Sequence, residues 1–293
     1  MALHRLGIRA RLFILPKHYY VPLADSSELR RTKAVWARRS AMHGIQWSAT
    51  NQADFLRRVV APFEPEYRGN RVYLEGKGSG PGFGYIEAQC LHGMLRSLKP
   101  KRMIEVGSGV STRCALHALG LNAERDEVPC RVTCIEPYPS ATLLENRQIE
   151  LVRQRVEHVD PALFDTLRSG DFLFIDTTHA VKPKGDVEYL YLDVLPRLAP
   201  GVIIQIHDIY LPYTHQPDIL DTIFQWSETM LLQALLTNND HLTVQLSLPL
   251  LHYDQQHAMR EVFPEYRPMA MNDGLAGADT SGHFPASIYL LTG

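Results

Sequence analysis

From residue 86 onward the apolar positions fall into two alternating kinds of run. Over 86–98 they recur at Ile86, Leu91, Met94, Leu95 and Leu98, the spacing of an amphipathic helix. A β-like run, 102–106 (RMIEV), follows and ends at a glycine turn. The pattern then predicts a helix over 111–119, a strand over 131–135 stopping at Glu136, a strand over 149–156 and a helix over 161–167. A strand over 171–175 (DFLFI) ends at Asp176, a helix covers 186–198 with Pro196 bending or ending it, and a strand over 201–206 ends at His207 and Asp208. A long helix over 218–236 and strands over 241–247 and 287–291 complete the chain. The central strands are continuous apolar runs without period-two alternation, as burial on both faces requires. Strands alternating with helices predict a doubly wound, mostly parallel α/β sheet.

The first eighty residues look irregular, with charged helical stretches such as 26–39 between turn-like pieces. The segment 75–85 (EGKGSGPGFGY) has five glycines and a proline and reads as a loop, or a lid. It divides an N-terminal extension, partly helical, over 1–80 from a main domain over 81–293. At the start, Arg5, Arg9, Arg11 and Lys17 mix with Leu6, Ile8, Leu12, Phe13, Ile14 and Leu15, too charged for a signal-peptide core. That segment is expected to pack on the domain, with a peripheral membrane contact as the alternative.

Composition adds exclusions. The chain of 293 residues is 45% hydrophobic and 21% charged, which is ordinary for a globular protein. A net charge of −2 asks for no nucleic-acid partner. Four cysteines without a CxxC pair predict reduced thiols and a cytoplasmic location, and no apolar run approaches the length of a membrane span. A homo-oligomer remains open.

The candidate chemistry sits at strand ends. Glu105 precedes the turn Gly107-Ser108-Gly109-Val110-Ser111, where glycines allow a tight bend and close approach of a ligand to the main chain. A dinucleotide fingerprint would have a third glycine at the position of Thr112. A carboxylate at Glu105 repels a pyrophosphate but suits the cationic amino group of an amino-acid moiety. Glu136 ends a strand 27 positions after Gly109, where a carboxylate can accept from both hydroxyls of a ribose. Two further strand ends carry Asp176-Thr177-Thr178-His179 and His207-Asp208, and ligands in such sheets bind outside the carboxyl ends of strands. Asp176, His207 and Asp208 are oxygen and imidazole donors suited to a divalent ion such as Mg, Mn or Fe.

The stretches IEVGSGVST and CIEPYP resemble the first and second motifs of class I S-adenosylmethionine-dependent methyltransferases, and the resemblance covers roughly residues 82–208. It implies a Rossmann-like sheet of seven strands in which 287–291 is an antiparallel insertion. It also implies cofactor binding by Glu105, Gly107, Ser108, Gly109, Ser111, Glu136, Asp160 and Asp176. The D-x-x-H pattern followed by a later pair is similar to metal-dependent O-methyltransferases of the macrocin type and, with other residues, the catechol type. That implies metal ligation by Asp176, His207 and Asp208, and catalysis by His179 as base with Asp176 and Asp208. The chain departs from both types by carrying His207 in place of the first acid of the pair.

A metal-plus-His site favours an oxygen acceptor on a small molecule, a sugar-containing natural product or a glycan. Two other readings stand beside O-methylation: a metal-dependent hydroxylase-like enzyme on the same fold, and a non-catalytic protein that binds the cofactor. The second would have no need of the Asp176–His179 cluster.

Overall fold

The computed structural model describes residues 18–76 and 82–293. The basic segment 1–17 and the centre of the glycine-rich loop, 77–81, lie outside the described residues. Seven strands form one sheet: β1 (Arg102–Val106), β2 (Arg131–Ile135), β3 (Ile149–Val152), β4 (Phe172–Ile175), β5 (Ile203–Ile206), β6 (Leu242–Ser247) and β7 (Ile288–Thr292). Their order is β3-β2-β1-β4-β5-β7-β6, with β7 antiparallel to both β5 and β6 and the other pairs parallel. The expected antiparallel insertion is therefore β7.

Alternate residues of these short strands feed two cores. Met103, Phe172, Phe174 and Ile203 face helices Tyr85–Leu98 and Val110–Asp126, while Ile104, Val106, Leu173, Ile175, Ile204 and Ile206 face the segment 187–198 and Leu232 and Leu236. Both faces being covered, the strands have no polar side to alternate.

Several expected elements differ, among them the strand over 149–156, which ends at Val152 and gives way to a 3-10 turn at Val156–His158. The helix over 186–198 is an α-turn (Asp186–Tyr189), a π-turn (Leu190–Val194) and a 3-10 turn (Leu195–Arg197). Pro196 lacks the N–H that would continue an α-ladder. The helix over 161–167 is a 3-10 run, Pro161–Thr166. The long helix over 218–236 exists only as Glu228–Leu236. Its expected first half is a loop because the Gln216 side chain takes up the backbone: Nε2 donates to Phe224 O at 2.8 Å and Oε1 accepts from Trp226 N at 2.7 Å.

Residues 18–76 are more ordered than their pattern suggests. Helix Ala49–Val59 is capped by Ser48, and Ala53 and Leu56 join Val60, Tyr67 and Tyr73 in the core that also holds Met94 and Met103. A partly buried ion network ties this part to the sheet's helices: Glu66 accepts from His92, Arg96 and Arg125, and Arg96 also reaches Asp126 at 2.7 Å.

Two buried imidazoles make this core acid-sensitive. Burial outweighs the pull of Glu66 and lowers His92 to about 4. Burial likewise lowers His252 to about 4, and its Nδ1 lies 2.6 Å from the Tyr266 hydroxyl, placed to accept that proton. Both rings are neutral in the fold and take up a proton on unfolding. Their contribution is complete above about 6.5 and is lost as pH falls from about 6.5 to 4, on the order of 3 kcal/mol each. Urea midpoints should fall over that interval, and less steeply in His92→Gln. Equal slopes would exclude His92 as a source.

Candidate functional site

The parallel ladder runs one residue past each strand end and sets the site's first row. Gly107 N donates to Ile135 O at 3.1 Å, Glu136 N to Val152 O at 3.1 Å, Asp176 N to Val106 O at 2.9 Å and His207 N to Ile175 O at 2.9 Å. Register alone thus places Gly107, Glu136, Asp176 and His207 side by side at the carboxyl edge. Gly107 has φ +79°, and a Cβ there would lie 2.5 Å from the Asp176 carbonyl oxygen. Only glycine lets these two strand ends approach so closely.

A cavity of about 330 Å³ opens over this row, lined by Gly107, Glu136, Val156, Glu157, Asp176 and Thr178. A second, of about 140 Å³, continues it past Ser108, Gly109, Tyr138 and Ser140, with Glu136 and Tyr138 common to both. Glu136 Oε1 accepts from Tyr138 N at 2.8 Å, and Ser108 Oγ lies 3.4 Å from Oε2, which leaves the carboxylate facing both spaces. Ser108, Gly109, Glu136 and Asp176 are brought together along these two adjoining cavities.

Two of the expected cofactor residues are engaged away from the cavity walls, and a third differs in kind. Glu105 is fully buried: Ser111 Oγ donates to one of its oxygens at 2.8 Å and Cys134 Sγ to the other at 3.3 Å. Burial pushes its carboxyl up to about 7. Glu105 and Ser111 therefore brace the glycine turn from beneath. Asp160 is exposed, and its carboxylate caps the turn Pro161–Thr166 through Ala162 N at 2.9 Å. Glu157 lines the larger cavity instead.

The second cluster is built around His179. Its Nδ1 lies 2.8 Å from Glu228 Oε2, and its Nε2 lies 3.5 Å from both Asp176 Oδ1 and Asp208 Oδ2. His179 and Asp208 both have left-handed backbones, φ +58° and +54°, a strain that surrounding contacts must hold. Trp226 packs on the imidazole, ring centroids 4.5 Å apart. Burial by itself would depress the imidazole. The hydrogen bonds to Asp176 and Glu228 and the nearby charge of Asp208 override it and raise His179 to about 10. The three carboxylates thus favour the imidazolium at neutral pH over the neutral base expected of an unperturbed histidine.

His207 does not fit the role of metal ligand. Its Nε2 donates to Gly82 O at 2.9 Å, and its Nδ1 faces Glu87 Oε1 at 3.1 Å. The ring is 1% exposed, with Phe83 edge-on at 5.2 Å. Neither nitrogen has a lone pair free for an ion. The remaining carboxylates, Asp176 and Asp208, have the His179 ring between them. Among the described residues no group of three or more His, Cys, Asp or Glu is arranged to hold a metal.

Glu228 and Glu87 were not singled out from the sequence. Each lies in the first turn of a helix remote from the histidine it partners, and neither stands in a motif that marks it.

Residues 104–209 match a family model described as a methyltransferase domain, about a third of the chain, running from β1 to just past β5. An uncharacterized protein of Archaeoglobus fulgidus is 28% identical over 169 residues, which is 53% of this chain and 74% of that protein. Among solved structures, the chain is similar to the O-methyltransferase TomG of Streptomyces achromogenes, involved in tomaymycin synthesis and solved in complex with S-adenosylmethionine. That likeness has 13% identity and a TM-score of 0.43 and covers 92% of this chain and 97% of that one. A second likeness is to the 1,6-didemethyltoxoflavin-N1-methyltransferase of Burkholderia thailandensis. It has 17% identity and a TM-score of 0.35 and covers 69% of this chain and 82% of that one.

Proposed function

We propose that this chain, an enzyme whose residues 104–209 form a class I S-adenosylmethionine-dependent methyltransferase domain, methylates a hydroxyl oxygen of a small-molecule acceptor, sugar-containing compounds included. The observation that carries the reading is the position of His179. Its Nε2 stands 3.5 Å from Asp176, and Asp176 lines the larger cavity. An alcohol is a poor nucleophile until its proton leaves, so a histidine beside the methyl donor fits an oxygen acceptor.

S-adenosylmethionine, when bound, would supply an electrophilic methyl on a sulfonium. Glu136, open to both cavities, accepts hydrogen bonds from ribose hydroxyls. The Gly107 main chain lets the ligand lie against the sheet edge. Asp176 would present negative charge toward a cationic centre, and a cation held there would disfavour the protonated form of His179. Once its own Nε2 proton has been released to solvent, His179 Nε2 takes the acceptor's proton as the oxygen attacks, with alignment supplying much of the rate.

The acceptor side falls to the loop 217–226 and to residues 18–76 of the N-terminal extension. Ala24 and Gln225 exchange two hydrogen bonds of 2.7 and 2.8 Å, and Arg30 reaches Asp221 at 2.9 Å. These contacts hold the loop that ends in Trp226, against His179. Metal assistance is not part of this reading, because both nitrogens of His207 are committed.

Calorimetry with S-adenosylmethionine and S-adenosylhomocysteine tests the cofactor part. Both should bind saturably, and Glu136→Ala should weaken binding by about 1.5–3 kcal/mol, roughly 10- to 150-fold, as for hydrogen bonds to a charged group. Folded protein that binds neither at millimolar concentration sinks the proposal. A screen of alcohols, phenols, sugars and amines follows, with and without exhaustive chelation. Transfer to a hydroxyl compound at the same rate in chelator is the expected result. Transfer confined to amines overturns the oxygen-acceptor assignment, and loss of rate in chelator overturns the metal-free one.

A further inference from the structure

We propose that Glu228 is the positioning residue for His179, holding the Nδ1–H so that Nε2 is the nitrogen presented to the acceptor. This rests on the methyl-transfer reading above.

Glu228 opens helix Glu228–Leu236 and is 1% exposed. One of its oxygens, Oε2, lies 2.8 Å from His179 Nδ1 and accepts from Thr177 Oγ1 at 2.9 Å. The main chain closes the same contact from the other side. The His179 carbonyl accepts from Ser227 N at 2.9 Å and Glu228 N at 3.1 Å, so it satisfies N–H groups at the start of that helix. Thr177 Oγ1 also accepts from His179 N at 3.2 Å. Side chain, main chain and the left-handed turn at His179 are thus fixed together by one carboxylate and one helix terminus.

The chemistry explains why a third carboxylate is needed. Asp176 and Asp208 both face Nε2, and by themselves they favour the tautomer that carries its proton there. That tautomer has no lone pair on the side of the acceptor. Glu228 is the acceptor on the opposite nitrogen, so it favours Nδ1–H and leaves Nε2 able to exchange a proton with substrate. A histidine oriented by a carboxylate on its far nitrogen is a recurring arrangement for proton transfer. Burial of the carboxylate sharpens the effect, since a low-dielectric surround strengthens a charge-assisted hydrogen bond.

The experiment compares wild type, Glu228→Gln, Glu228→Ala and His179→Gln, each with S-adenosylhomocysteine bound. Ring-labelled histidine spectra should show a downfield Nδ1–H proton, assigned by its loss in His179→Gln. It should move strongly upfield in Glu228→Gln and vanish in Glu228→Ala. Affinity for S-adenosylhomocysteine should stay within about twofold in Glu228→Gln, since the residue lies outside the cofactor cavity. With the hydroxyl acceptor that the screen returns, kcat should fall about 10²-fold in Glu228→Gln, with KM for S-adenosylmethionine unchanged. A merely structural role would lower melting temperature and cofactor affinity together and leave the surviving folded enzyme at full kcat. If Glu228→Ala does not fold, the isosteric Gln variant carries the test. A Nδ1–H signal unchanged in the folded Glu228 variants, or wild-type kcat in Glu228→Gln, overturns the proposal. Full turnover in His179→Gln is a different failure: it removes His179 as the base, while the spectra still decide whether Glu228 orients the ring.

Discussion

Exchanging His179 for glutamine is expected to lower methyl transfer by about 10²–10⁴-fold, the usual contribution of a positioned general base. Glutamine keeps a polar side chain of similar reach that can still donate to Glu228, but it cannot take a proton. The cavity residues Gly107, Glu136 and Tyr138 are untouched, so affinity for S-adenosylmethionine should stay nearly constant. Stability should fall as well, because the ring lies within 3.5 Å of Asp176 and Asp208 and its charge offsets theirs. The rate effect is separated by single-turnover measurement at saturating cofactor, well below the melting temperature of the variant. If His179 only braced the turn, cofactor affinity would fall in step with rate. A variant with wild-type single-turnover rate on a hydroxyl acceptor removes His179 from proton transfer.

Gly107→Ala is expected to abolish measurable cofactor binding and to destabilise the fold by about 2–5 kcal/mol, from left-handed strain of about 1–2 kcal/mol plus overpacking of about 1–3 kcal/mol. The added methyl would lie 2.5 Å from the Asp176 carbonyl oxygen. That oxygen cannot easily retreat, since Asp176 N is bonded to Val106 O as part of the sheet. Relief must come from moving the turn that carries Ser108 and Gly109, and those residues line the cavity. Gly170→Ala is the control. Its φ is +84°, and nothing lies within 4 Å of the new Cβ, so it carries the backbone strain without the crowding. Equal losses of stability and of binding in the two variants would mean that strain alone, not the close approach of β1 and β4, explains Gly107.

Much of the sheet is legible in the chain. The runs at β1 and β2 have the predicted limits, because a strand buried on both faces must be continuously apolar and a glycine or acidic residue ends it. The row Gly107, Glu136, Asp176 and His207 follows from that, since parallel register carries strand-end residues to one edge. Less legible is the segment 18–76, where short helices bury at most three residues each and leave no sustained period. The loop 218–227 misleads for the opposite reason. Ile223 and Phe224 sit at helical spacing with Ile219 and Leu220, yet they are 81% and 66% exposed while Gln216 bonds the backbone.

By itself the sequence determined the succession of the seven strands, the glycine turn and the line of polar residues at the strand ends. All of these follow from local rules: burial sets the apolar runs, and backbone freedom sets where the chain can turn. Tertiary structure decided which atoms those residues present. His207 looks like a ligand until Gly82 and Glu87, 125 and 120 positions earlier in the chain, take both its nitrogens. Glu105 looks open to a ligand until Ser111 and Cys134 close over it. His179 looks like an ordinary histidine until Glu228, 49 residues later, meets its Nδ1. A hydrogen bond between distant segments depends on how two faces pack, and neither segment's own pattern records that choice.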